Sequence, residues 1–145
     1  MNAKPQPQLR FHGVEFPYIN FNSHKRLDAE AEIEIEVMPK VFFPKAEPTI
    51  FKIVQDIKVF TKEQFELSIV GIGTFEISKD IDQELKDKFI QLNAPAIMFP
   101  YLRSFISTLT SNLGNVTGTL TIPPQFFSGT VEETKNLKNF KDATE

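Results

Sequence analysis

The sequence predicts an α+β domain in which strands come first and helices follow. Two patterns carry that reading. Apolar residues recur at every second position in segments between Leu9 and Ile77, and at every third or fourth position after Ser78. Size is the third observation: 145 residues fit one domain, long enough to bury roughly 70% of its unfolded surface without staples.

Residues 1–8, with Pro5 and Pro7 set among glutamines, are expected to be disordered. From Leu9, Val14, Phe16 and Tyr18 share one face of a first strand, and Ile19 and Phe21 the other. Pro17 cannot donate to a ladder, so this is an edge strand or a bulged one. Ile33, Ile35 and Val37 then alternate with Glu30, Glu32, Glu34 and Glu36, the pattern of a strand dry on one face and wet on the other. Pro39, Pro44 and Pro48 break up the Val41-Phe42-Phe43 patch and predict a crossover loop with partial strand character. An antiparallel hairpin follows. Phe51, Ile53, Ile57 and Val59 oppose Lys52, Asp56 and Lys58 on its first strand, Thr61 to Gln64 turn, and Phe65, Leu67, Ile69, Phe75 and Ile77 line its second. Gly71 and Gly73 fall on that same apolar face, where a missing side chain permits a bulge or a close backbone approach.

A first helix is capped by Asp80 and Gln83, carries the stripe Ile81, Leu85, Phe89 and Leu92, and is predicted to stop at Asn93 and Pro95. A second starts near Pro95 or Pro100 and packs through Leu102, Phe105, Ile106, Leu109 and Leu113, with Gly114 as its exit. Its other stripe is Ser104, Ser107, Thr108 and Ser111. Small hydroxyls let another helix come close, and they equally suit a plain solvated face. Thr119 to Ile122 reads as extended. The domain proper is expected to span 9–127, and residues 128–145 to form a polar tail or weak helix.

The chemistry of the chain points away from catalysis. It has no cysteine, which removes disulfides and thiolate chemistry, and its two histidines, His12 and His24, are too few for a histidine-rich metal site. No phosphate-loop run and no G-x-S-x-G elbow occurs, and Gly71-Ile72-Gly73 lacks the third glycine of a dinucleotide fingerprint. Carboxylates in the Glu30 to Glu36 series stand about 6.5–7 Å apart along one strand face, too far to share an ion unaided. A net charge of −3 disfavours a nucleic-acid surface. No apolar run approaches the ~20 residues of a membrane span, so a soluble cytoplasmic chain is expected, without enzymatic activity, metal or cofactor. One oddity remains: with 15 Phe and 2 Tyr, the chain must either pack a large core or keep some rings for a partner, and with catalysis unsupported the reading is a binder.

The run Ile97-Met98-Phe99-Pro100-Tyr101-Leu102-Arg103-Ser104-Phe105-Ile106-Ser107 resembles the SecB export chaperones, whose main helix opens on an apolar pair and F-P-Y-x-R. Leu120-Thr121-Ile122-Pro123-Pro124-Gln125-Phe126 resembles their later L-x-L-x-P-x-N-F segment. The likeness extends over roughly Phe11 to Phe127. It implies a four-stranded, Greek-key-like antiparallel sheet with a crossover segment and helices on one face, assembled as a dimer of dimers through Ser104, Ser107, Thr108 and Ser111. It also implies an apolar client groove, with Ile33, Ile35, Val37, Phe42, Phe43, Phe99, Tyr101 and Phe126 as its candidate lining, and unfolded preproteins held there without ATP. The SecA motor would be a further partner, but the matching sheet-face positions are Tyr18, Asn22 and Ser68, none acidic, and the tail carries Lys135, Lys138 and Lys141. Two alternatives stay open: a dedicated chaperone of one partner, such as an antitoxin, and a structural oligomeric module.

Overall fold

The computed structural model describes residues 8–123 and 130–137. Five strands form one sheet: β1 (Leu9–Ser23), β2 (Glu34–Phe42), β3 (Ile50–Thr61), β4 (Phe65–Ile77) and β5 (Glu132–Glu133), in the order β1-β4-β3-β2-β5. β1 to β4 pair antiparallel, and β1 lies beside β4, which is the Greek-key arrangement. The fifth strand is an addition to the expected four. It is two residues long and runs parallel to β2, in a stretch expected as a polar tail or weak helix.

β2 to β4 hold the core because their odd-numbered residues all face the helices. Val41, Phe51, Ile53, Ile57, Val59, Phe65, Leu67, Ile69 and Phe75 are buried there. The Val41-Phe42 patch belongs to the strand and not to a loop: β2 runs unbroken through Pro39, opposite Gln55. A proline is tolerated there because β2 is an outer strand at that point. The turn falls between Phe42 and Ile50, and it is there that Pro44 and Pro48 lie.

β1 is an edge strand with two irregularities, between Phe11 and Gly13 and between Glu15 and Tyr18. Gly13 absorbs the first at φ 121°, in the region glycine alone enters freely. The second contains Pro17 and gives β1 one extra residue against β4. As a result Tyr18 pairs with Val70 and packs on the far face with Val54 and Ile72, while Phe16 stays on the helix side. The expected common face for Val14, Phe16 and Tyr18 is therefore broken at Tyr18.

The helical region also departs from expectation. α1 (Gln83–Lys88) is capped by Asp82, whose carboxylate accepts from the Leu85 N–H at 2.8 Å, and not by Asp80. The chain does not stop at Asn93 and Pro95. It passes through a π-helical turn, Phe89–Asn93, straight into α2 (Ala94–Ser111), with Pro100 inside that helix. The Ala94 N–H reaches back five residues to Phe89. This widened turn falls just before Pro95, which has no N–H and whose ring would crowd a regular turn. The extra residue also shifts the phase of the stripe, so Leu92 points outward at 59% exposure instead of into the core.

Candidate functional site

The crossover segment of residues 24–33 carries the chain from one edge of the sheet to the other. It crosses the β3–β4 hairpin, held by hydrogen bonds from the His24 N–H to the Gln64 carbonyl (2.7 Å), from the Asp28 N–H to Gln64 Oε1 (3.0 Å) and from Thr61 Oγ1 to the Glu32 carbonyl (3.2 Å). Leu27 ties it to the end of the helical layer through the Val116 carbonyl (2.9 Å). These contacts deliver Ile33 to the start of β2 at 38% exposure. Ile35 and Val37 follow at a period of two, half-buried against the helix-side core, with Glu34 and Glu36 outward. The result is a graded apolar strip along an outer strand.

The other candidate residues split into three groups. Phe43 is half-buried at the end of this strip, with Lys86 Nζ 5.0 Å above its ring. Phe42 belongs to the ladder opposite Lys52 and faces the other side of the sheet. Phe99 departs from its expected role as groove lining: at 6% exposure it is part of the core, because α2 turns that side toward the sheet. Phe126 lies outside the described residues.

Tyr101 is 49% exposed and stands at the far edge of the sheet, its ring 5.0 Å from that of Phe11 on β1. Three strand spacings, roughly 14 Å, separate β1 from β2. Tyr101 and the Ile33–Val37 strip therefore do not share one pocket. An aromatic row runs inward from Tyr101: Phe11 to Phe75 at 5.0 Å and Phe75 to Phe51 at 5.4 Å, all at one level of the sheet. Phe11 is half-buried and Phe75 and Phe51 are fully buried, so the row ties the β1 edge to the interior of the sheet.

Of the four hydroxyls in the α2 stripe, Ser104, Ser107, Thr108 and Ser111, two reach the segment that follows the helix. Ser107 Oγ donates to the Leu120 carbonyl at 2.9 Å, and Ser111 Oγ lies 2.7 Å from Thr119 Oγ1. Arg103, the last residue of F-P-Y-x-R, donates from Nε to the Ile122 carbonyl at 2.8 Å. This part of the stripe holds the extended 119–122 segment against the helix, with Leu120 and Ile122 buried in the core. Ser104 and Thr108 are exposed, on the same outward face as Ile97 and Tyr101.

With this geometry in place, the family model described as preprotein translocase subunit SecB matches residues 14–122. The chain belongs to the SecB family. An uncharacterized protein of Methanocaldococcus jannaschii is 30% identical over the whole chain and 98% of its own length. The SecB protein-export protein of Buchnera aphidicola is 33% identical over 61% of this chain and 56% of its own. Among solved structures, a SecB-like chaperone of Mycobacterium tuberculosis, in complex with a peptide from an antitoxin, superposes with a TM-score of 0.66. It covers 81% of this chain and 88% of its own at 13% identity. The stretch matched by the family model takes in most of β1, all of β2–β4, the crossover and α2.

Sequence reasoning missed three features. Met38 is exposed on the outward face of β2 between Glu36 and Lys40, an apolar break in a polar row that could have been read as a signal. Asp56 is 4% exposed, and neither carboxylate oxygen has a hydrogen-bond partner. Burial holds its carboxyl up at about 7, with Lys58 and then Lys40 pulling it back. The third is the seating of Val131, which with Leu137 and Phe140 is too sparsely spaced in a polar stretch to give a periodicity. Among the described residues no group of three or more metal-ligating side chains comes together, and no helix is long and apolar enough to cross a membrane.

Proposed function

We propose that this SecB-family chain is an ATP-independent holdase that keeps polypeptides unfolded, working in the cytoplasm as a homotetramer assembled through the outward face of α2. The observation that carries the reading is the exposed-to-half-buried strip of Ile33, Ile35 and Val37, displayed along an outer strand beside a crossover segment. Burying one client side chain there contributes about 1.5–3 kcal/mol, weak enough to be sequence-tolerant. Several strips on one assembly make later contacts intramolecular and raise avidity by ~10²–10⁴. Preferential binding of the unfolded client then delays its folding by mass action.

The test is binding of a chemically denatured client to wild type and to a chain with Ile33, Ile35 and Val37 changed to Ser. Weaker holding by the variant supports the strip. Equal holding overturns it. Since Ile35 and Val37 also touch the core, Ile33→Ser alone serves as the variant that leaves the fold intact.

A dedicated-client reading has its own support. Where export members present acidic docking residues, this chain has Tyr18, Asn22 and Ser68. Tyr18 and Asn22 belong to a neutral relay, with Asn22 Nδ2 donating to Asn20 Oδ1 at 2.9 Å and Asn20 Nδ2 to the Tyr18 hydroxyl at 3.3 Å. None of these three side chains is acidic, and the carboxylate across the ladder from Asn22 is that of Glu66. The relative from Mycobacterium tuberculosis holds an antitoxin peptide, which is the kind of partner this reading assigns here. One dominant partner in a pull-down favours it, and a broad set of precursors favours export.

A further inference from the structure

The segment 130–134 lies on the outer edge of the sheet in the manner of an added strand. Val131 places its side chain in the main core, in the same cluster as Val41 and Ile90. Its backbone is gripped from both sides by one amide: Gln91 Oε1 accepts the Val131 N–H at 2.7 Å, and Gln91 Nε2 donates to the Val131 carbonyl at 2.9 Å. Beyond it, Glu132 and Glu133 pair with Lys40 and Val41, and the Thr134 N–H donates to the Val41 carbonyl at 2.8 Å. Glu133 bridges to Lys135 within its own segment at 3.5 Å, and both Glu132 and Glu133 are exposed.

These contacts recognise backbone and one aliphatic side chain. A carboxamide that matches both polar groups of a single extended residue imitates a neighbouring strand and carries no preference for the residue it holds. An edge strand supplies the same kind of recognition through its unpaired groups. The occupant is weakly specified: two ladder positions, parallel pairing and one apolar anchor followed by two acidic residues. A client segment with an aliphatic anchor and uncharged neighbours has everything the site reads.

We propose that Gln91, the pocket filled by Val131 and the β2 edge at Lys40 and Val41 form a peptide-binding site for an extended segment with one aliphatic anchor, and that residues 130–134 occupy it in cis. The proposal rests on the chaperone reading in that it names where a client backbone would be held.

The probe is a fluorescein-labelled peptide of the sequence of residues 130–135, which stops short of Leu137 and its contact with the far-face cluster, titrated into the full chain by anisotropy. Val131→Asp in the full chain vacates the pocket. This variant is expected to bind the peptide at least tenfold more tightly than wild type, and adding Gln91→Ala is expected to remove the gain. Equal affinity for wild type and Val131→Asp, or a gain that survives Gln91→Ala, overturns the proposal. Where Val131→Asp fails to fold, a disulfide decides: the chain has no cysteine, so Lys40→Cys with Glu132→Cys gives a single staple across the ladder. The reduced form is expected to bind the peptide at least tenfold more tightly than the oxidised form, and equal binding overturns the site. A chain that exchanges the peptide but does not hold denatured proteins contradicts the holdase reading and leaves the site standing. A chain that holds such proteins with no peptide exchange does the reverse.

Discussion

A Cβ on Gly73 would lie 2.9 Å from Sδ of Met98, and one on Gly71 would lie 2.8 Å from Cδ2 of Leu102, so α2 rests directly on the bare backbone of β4. Phe16 completes the contact, stacking on Phe105 at 4.1 Å between ring centroids. The two glycines thus set how closely the main helix approaches the sheet. Everything α2 displays on its outward side is positioned by that approach.

Gly71→Val is expected to destabilise the fold by about 1–3 kcal/mol through overpacking. Gly73→Ala should have a smaller effect, because the Met98 side chain is flexible and can move aside. Urea unfolding midpoints check the order. A neutral Gly71→Val would contradict the packing described.

Asp56 makes stability depend on pH. Its carboxyl titrates at about 7 in the folded chain against an ordinary 3.8. Between those values the folded state binds the extra proton. Its contribution is therefore fully present below about pH 4 and is lost as pH rises through 7. Thermal unfolding between pH 5 and 8 is expected to show wild type losing stability relative to Asp56→Asn as pH rises. Parallel curves for the two proteins would show that the buried carboxyl does not titrate in this window.

Arg103→Ala removes a charge-assisted hydrogen bond to the Ile122 carbonyl, with an expected loss of about 1.5–3 kcal/mol. The damage should be local. Amide hydrogen exchange is expected to rise across residues 119–122 while β3 and β4 stay protected. Uniform loss of protection would mean that this segment is not a separate unit.

Ser104→Arg with Thr108→Arg places two bulky charges on the exposed face of α2. Both sites are exposed, so the subunit fold should survive, and sedimentation is expected to show a smaller assembly than wild type. An unchanged mass would remove this face from the interface.

The hairpin from Ile50 to Ile77 was legible in the sequence because its odd positions face one core throughout, and a period of two survives only where one face is uniformly dry. Where the chain adds a residue, the period lost its meaning. The bulge at Pro17 sent Tyr18 to the far face, and the π-turn before Pro95 turned Leu92 outward, and neither insertion leaves a mark in hydrophobic spacing. Of the candidate site, the apolar strip of Ile33, Ile35 and Val37 was readable from its alternation with glutamates. Phe99 was not, since position along a motif says nothing about which way a helix is rolled. Gln91 and Val131 are 40 residues apart and meet through a side chain and a backbone, a contact without a sequence period.

The most direct test is light scattering of the purified chain, alone and with a denatured precursor, in the absence of nucleotide. The account predicts a particle of four chains and a precursor whose aggregation is suppressed as the chain is added. A precursor that aggregates at the same rate with and without the chain would contradict it.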